Sequence, residues 1–272
     1  MHPILVDFGT FHLPWLGSTH LFLPSYGVIF AAGALLAWWW FVARARGMDL
    51  PQEPVFNLAF YTLLAGLFGA KLTLILVDLP YYVAHPVEIL GTVRSAGVLM
   101  GGLVAGASVF IWYARRQKLP VYELMDAMVA PVALAQGIGR LGCFAAGCCY
   151  GIGSDLWCAV RFTSEAAHEQ TGVPLGTPLL PVQLIEFAFD VALAAALTLA
   201  WRSRLKPAGA VTWLYFILYG AGRAVIEIGR GDTVRGVWFH GSVSTSQLFS
   251  IVAIVAGFAL LIRDRIRIAR LA

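Results

Sequence analysis

The sequence predicts an all-α, polytopic membrane protein of about seven transmembrane helices, with its N-terminus outside and its C-terminus in the cytoplasm. Three observations predict it. Of 272 residues, 59% are hydrophobic and only 12% charged, with a mean hydropathy of +0.76, and that charge is about half of what an ordinary soluble domain carries. The apolar residues come in runs of roughly 18 to 23, the length that crosses about 30 Å of hydrocarbon as a helix. The basic residues gather at the ends of alternate runs.

The first run covers residues 21–42 and closes on Arg44 and Arg46. The second, 55–77, follows a turn-prone stretch over 48–54 and contains Gly66, Gly69 and Lys71. A linker holding Pro80, Pro86 and Glu88 leads to a glycine-rich third run, 97–113, closed by Arg115, Arg116 and Lys118. There, glycines at 97, 101, 102 and 106 allow another helix, or a ligand, to come close to the backbone. The fourth run, 121–138, is interrupted by Pro131, and a break at that depth has to be buried in protein. Residues 139–178 form an extracytoplasmic segment that holds all four cysteines. The fifth run, 181–201, closes on Arg202, Arg204 and Lys206; the sixth covers 210–228; the seventh, 243–262, leads into Arg263, Arg265, Arg267 and Arg270. Together they read as a single transmembrane domain over residues 1–272.

Twelve of the nineteen basic residues follow runs one, three, five and seven, which an odd count places on one side; by the positive-inside rule that side is the cytoplasm. The formal charge of +4 and pI near 9.0 are therefore topology signals, and no basic stripe interleaved with stacking aromatics supports a nucleic-acid partner. The first 20 residues lack a basic leader and a small-residue cleavage site, so the first helix is expected to direct insertion itself. Trp38, Trp39, Trp40, Tyr81 and Tyr82 lie near run ends, where amphipathic rings anchor at the interface.

Seven basic residues remain: Lys71, Arg94, Arg140, Arg161, Arg223, Arg230 and Arg235. Arg223 lies deep in the sixth run, where an unpaired charge costs several kcal/mol. Tyr219, Arg223, Glu227 and Arg230 share one helical face. The stripe is either an ion pair locking helices together or, because two arginines exceed one acid, an anion or headgroup site. Arg140 follows Gln136-Gly-Ile-Gly at the end of an apolar run, placed either to snorkel or to meet a phosphate with its rigid fork of donors. Asp126, Gln183, Glu186 and Asp190 add polar groups, the last three on one face.

Cys143, Cys148, Cys149 and Cys158 lie within sixteen residues. Outside the cytoplasm, structural disulfides are one reading; a reactive thiol or plain packing are others. The spacing is unlike paired C-x2-4-C ligands, so no metal is expected, and no cofactor either. The loop Arg230-Gly-Asp232-Thr-Val-Arg235 is a surface turn or a gate. The six histidines have no partner at motif spacing.

Residues 139–151 read Gly-Arg-Leu-Gly-Cys-Phe-Ala-Ala-Gly-Cys-Cys-Tyr-Gly. With Tyr26-Gly27, Gly69-Ala-Lys71, Gly101-Gly102, Pro181-Val-Gln183-Leu-Ile-Glu186, Tyr219-Gly-Ala-Gly-Arg223-Ala-Val-Ile-Glu227-Ile-Gly-Arg230 and Ser244-Thr-Ser-Gln247, in order along nearly the whole chain, this resembles the bacterial prolipoprotein diacylglyceryl transferase family. The chain looks like a diverged member with a cysteine-rich signature segment. The resemblance implies transfer of a diacylglyceryl group from a phosphatidylglycerol-like lipid to the cysteine of a lipobox-bearing secreted precursor, with release of glycerol phosphate, at the bacterial inner membrane. It implies phosphate-clamping roles for Arg140 and Arg223 and a supporting role for Glu227. Tyr26, Gln183, Tyr219 and Arg230 complete the expected substrate site, and a monomer is expected.

The departures lie where the family's reactive groups stand. Met100 replaces the family's His-Gly-Gly histidine, Cys143 and Ala146 its two signature asparagines, Cys148 its signature glutamate and Leu180 the histidine before Pro-x-Gln. Methionine cannot take a proton from a thiol. Cys148 is accordingly a candidate catalytic residue beside Arg140 and Arg223, and the acceptor is a prolipoprotein cysteine or another nucleophile. The alternative is a thiol/disulfide redox or structural lipid-binding membrane protein that kept the fold. A solute transporter is the third class, disfavoured because the chain lacks paired inverted halves.

Overall fold

The computed structural model describes residues 2–13, 17–92, 97–203, 205–232, 236–238 and 243–270; Arg94, Arg204, Arg235 and His240 lie outside them. The chain forms two compact units, one of Leu36–Met128 and one of Met1–Leu35 with Val129–Ala272. Among the described residues, six helices are long and apolar enough to cross a membrane. Most of the described chain is helical, as the composition predicts.

The all-α expectation misses short strands. β1 (Ile4–Leu13) and β2 (Gly17–Pro24) pair antiparallel, and the first long helix, α1 (Ser25–Arg46), starts after Pro24 instead of at residue 21. Leu21-Phe22-Leu23 carries apolar bulk that suits either element. Pro24 decides, since the residue before a proline is held in extended backbone.

In the Leu36–Met128 unit, α2 (Gln52–Val77) is followed by two short helices, α3 (Leu79–Ala84) and α4 (Glu88–Gly91), and by α5 (Leu99–Arg116). α5 is the third predicted span. It has eighteen residues with Arg115 and Arg116 in its last turn, and it is not among the six helices apolar enough to cross. Its glycines serve helix packing. A Cβ on Gly101 would lie 1.9 Å from Thr73 Oγ1 and 2.6 Å from the Gly69 carbonyl oxygen, and one on Gly69 would lie 2.3 Å from the Ala105 Cβ. Gly101→Val is expected to lower stability by about 1–3 kcal/mol or more through overpacking, read as a lower thermal unfolding midpoint in detergent. An unchanged midpoint would show that α2 and α5 do not pack so closely.

The other unit is built on α6 (Val121–Ala146, which crosses the unit boundary), α8 (Val182–Arg202), α9 (Ala210–Ile226) and α10 (Thr245–Ala269). α6 runs unbroken through Pro131 and continues eight residues past its predicted end at 138. Arg140 and Cys143 therefore ride on a helix instead of a soluble loop. α9 and α10 pack through Gly220 and Gly257, whose added Cβ atoms would lie 2.9 Å from the Ser250 carbonyl oxygen and 2.8 Å from that of Trp213. The Trp213 indole donates to Asp264 Oδ2 at 3.0 Å.

Beyond α6 the segment has its own small core. Phe162, Ala167, Val173 and Leu179 are buried together, with Phe144 and Tyr150 against them. α7 (Glu165–Thr171) is capped by Ser164, whose hydroxyl accepts from the Ala167 amide, and β3 (Val160–Arg161) pairs with β4 (Pro178–Leu179). Two backbone bonds then fix the loop over the end of α9: Ile152 N–H to the Gly229 carbonyl and Gly231 N–H to the Tyr150 carbonyl, both 3.0 Å. Glycine is required there, since a Cβ on Gly151 would sit 2.2 Å from the Leu180 carbonyl oxygen.

Candidate functional site

Three helices and one loop bring the predicted arginines into a single chain of ion pairs. Glu186, on the first turns of α8 and 2% exposed, receives Arg140 Nη2 from α6 at 2.9 Å and Arg223 Nε from α9 at 3.5 Å. Arg223 Nη2 lies 2.5 Å from Glu227 Oε2, four residues on and just past the end of α9. Arg230 Nη1 reaches the same Glu227 oxygen at 3.4 Å and forks onto Asp232 at 2.9 and 2.6 Å. The order Arg140, Glu186, Arg223, Glu227, Arg230, Asp232 alternates charge throughout.

That order corrects the expected surplus of positive charge on the α9 stripe. Glu186 and Asp232 match it, and Asp190, one turn beyond Glu186 and wholly buried, adds a further acid. What the network offers an anion is unused donors. Arg223 Nη1 is buried with no hydrogen-bond partner among the described residues, and leaving such a donor unpaired costs about 1–3 kcal/mol. Arg140 engages Glu186 through Nη2, and its side chain stays 20% exposed. Two guanidiniums from different helices are pinned to one carboxylate, and guanidinium forks are suited to phosphate oxygens.

The remaining predicted residues frame these groups. Tyr26 stacks on Phe30 with centroids 6.0 Å apart and lies against α6 at Gly142, where a Cβ would come within 3.1 Å of its ring. Tyr219 stacks on Tyr215 at 5.4 Å, and the Tyr215 hydroxyl donates to Gln136 Oε1 at 2.8 Å. Gln183, 1% exposed, donates from Nε2 to the Cys148 carbonyl at 2.8 Å, tying α8 to the cysteine turn.

All four cysteines are free thiols. The Sγ atoms of Cys143, Cys148 and Cys149 lie within 4.8 Å of one another, and Cys158 is not part of the group. The turn that gathers them has Gly147 at φ 81° and Cys149 at φ 57°, both left-handed. Hydrogen bonding among the thiols raises Cys148 and lowers Cys149, and the guanidiniums of Arg230 and Arg140 add to the lowering at Cys149.

A model of the prolipoprotein diacylglyceryl transferase family matches residues 16–263. The chain belongs to that family. It is 35% identical over 244 residues to the phosphatidylglycerol–prolipoprotein diacylglyceryl transferase of Clostridium tetani, covering 89% of this chain and 94% of the relative. A second such transferase, from Clostridium perfringens, is 31% identical over 236 residues, covering 87% and 89%. The Serratia proteamaculans transferase is 28% identical over 277 residues, covering 96% and 92%.

Within this diacylglyceryl transferase family member, the arginine network and the thiol cluster meet at the end of α6. Sequence reading missed the central place of Glu186 and the role of Asp232. The spacing of Gln183, Glu186 and Asp190 was the available signal for the first. The Arg-Gly-Asp turn held the second, hidden because the tripeptide is uninformative without its fold.

Proposed function

We propose that this chain is a multi-pass membrane transferase of the bacterial inner membrane, moving a diacylglyceryl group from phosphatidylglycerol to the thiol of a lipobox cysteine or a related thiol acceptor, with release of glycerol phosphate. The observation that carries this reading is the buried Nη1 of Arg223, without a hydrogen-bond partner among the described residues, on a side chain held with Arg140 by Glu186. Donors fixed before the lipid arrives stabilise charge on a departing phosphate without reorganising. Arg140, Arg223 and Cys148 are assigned the reacting end, with Tyr26, Gln183, Tyr219, Glu227 and Arg230 shaping and supporting the lipid site.

The topology that goes with it has seven spans, with α5 as the third in spite of its arginine-rich end, the N-terminus outside and the C-terminus cytoplasmic. The clusters after runs one, three, five and seven support that sidedness. Lipid headgroup and secreted thiol would then meet on the outer side, where α6 ends. The working unit is a monomer.

Mass spectrometry of a lipobox peptide incubated with the reconstituted chain and phosphatidylglycerol tests the reaction. The cysteine peptide is expected to gain one diacylglyceryl group and its serine counterpart none. Lipid consumed only with a different thiol present would assign the acceptor to that thiol, and lipid left intact with every thiol offered would sink the transferase reading.

A further inference from the structure

The transferase reading places Cys148 at the reacting end and leaves open what the three gathered thiols do together. Cys143 stands near the end of α6 and is buried, while Cys148 and Cys149 follow on the turn and are half-buried. The Cys148 amide donates back to the Cys143 carbonyl at 3.1 Å, and the left-handed Gly147 and Cys149 bend the chain so that all three sulfurs converge. A non-glycine residue held at positive φ costs on the order of 1–3 kcal/mol and persists only where its surroundings impose it. Packing three small side chains does not need that conformation. One disulfide leaves an odd thiol.

A metal ion uses all three. With metal–sulfur bonds of about 2.3 Å, tetrahedral or trigonal geometry sets the sulfurs roughly 3.8–4.0 Å apart. The observed spread of up to 4.8 Å closes to that with a movement of about 1 Å or less in each thiol. Three ligands, buried on one side and reachable on the other, leave a fourth position open, the arrangement of a working zinc site and not of a closed structural one. Three thiolates and a divalent ion sum to one negative charge, and Arg140 stands three residues before Cys143 on the same helix. The Gln183 bond to the Cys148 carbonyl holds the turn from behind, as outer partners of metal ligands do.

We propose that Cys143, Cys148 and Cys149 bind one zinc-class, thiophilic divalent ion, whose open position takes the acceptor thiol as its thiolate. This rests on the transferase reading and supplies what Met100 cannot. Coordination releases the acceptor's proton to solvent, because a metal-bound thiol is deprotonated. The thiolate sulfur attacks the glyceryl carbon and the C–S bond forms. The C–O bond to phosphate breaks, its electron pair staying on the phosphate oxygen that leaves as glycerol phosphate between Arg140 and Arg223. The product thioether is neutral, a weaker ligand, and departs.

The test uses the full chain in detergent under reducing conditions, with zinc and cobalt as probes. Elemental analysis after gel filtration is expected to give one zinc per chain, and cobalt loading to give thiolate-to-metal charge-transfer absorption that changes when lipobox peptide is added. Cys148→Ser and Cys149→Ser are each expected to weaken zinc at least about tenfold, while Cys158→Ser leaves it unchanged. Chelation is expected to stop peptide modification, restored by zinc, while phosphatidylglycerol binding persists. Free thiols that take up no zinc or cobalt, a disulfide within the trio of the resting protein, or full peptide modification by metal-free protein would each overturn the proposal. Zinc bound and the cobalt spectrum responding to peptide, with no peptide modified, would keep the thiol-binding metal site and reject the transferase reading on which its role rests.

Discussion

Arg223→Ala is expected to lower kcat/KM for phosphatidylglycerol by about 10²–10³-fold, the usual cost of removing one preorganised donor from a developing anion. The fold should survive the change. Glu186 keeps Arg140 at 2.9 Å and Glu227 keeps Arg230 at 3.4 Å, so neither acid is stranded. Arg223→Lys keeps the charge and loses the fork: a lysine ammonium cannot serve Glu186, Glu227 and a phosphate oxygen together. Most of the loss is therefore expected with lysine too. Steady-state release of glycerol phosphate measures both variants. A fall of less than about threefold for alanine, with unfolding unchanged, would show that the buried Nη1 faces no reacting oxygen.

The second large effect is on stability. Glu186→Ala removes the one acid between Arg140 and Arg223, in a position only 2% exposed. Breaking a buried pair by deleting one partner costs about 3–5 kcal/mol, since the stranded charge has no water to turn to. Here Arg140 loses its carboxylate, and Arg223, 7% exposed at its side chain, keeps only Glu227. The unfolding midpoint in detergent is expected to drop by several degrees, and Glu186→Gln, which retains an acceptor oxygen, by less. Added glycerol phosphate should partly restore Glu186→Ala by supplying the missing negative charge. A midpoint equal to wild type would mean that the pairs to Glu186 do not hold the helices together.

Much of this fold is legible in the sequence because lipid imposes a length and an apolar composition on anything that crosses it. Five of the six membrane-length helices start within about three residues of their predicted spans, a margin ordinary for helix ends. The start of α1 and the end of α6 depart from their predicted spans for local reasons. Residues 21–24 are apolar enough for either a strand or a helix, and Pro24 assigned them to β2. Residues 139–146 look soluble because Arg140 and five small or thiol residues interrupt the apolar run, yet Gly139 and Gly142 are there for close contact with α1, and the helix continues.

The site was half legible. A stripe at i, i+4 and i+8 announces Tyr219, Arg223 and Glu227 on one face. Which acid from another helix completes it depends on how α8 and α9 pack, and Phe189 against Gly222 sets that contact. Cysteine spacing was read against ligand pairs two to four residues apart. The gap from Cys143 to Cys148 became ligand-like only when the helix end and two left-handed residues folded it back.

The central claim is that Arg140 and Arg223 hold the lipid phosphate, and the most direct measurement is phospholipid retention by native mass spectrometry. Wild type is expected to retain phosphatidylglycerol and to release it to an excess of glycerol phosphate. The Arg140→Gln, Arg223→Gln double variant should retain it no better than a neutral lipid of equal chain length. Equal retention of phosphatidylglycerol by wild type and double variant would contradict the account.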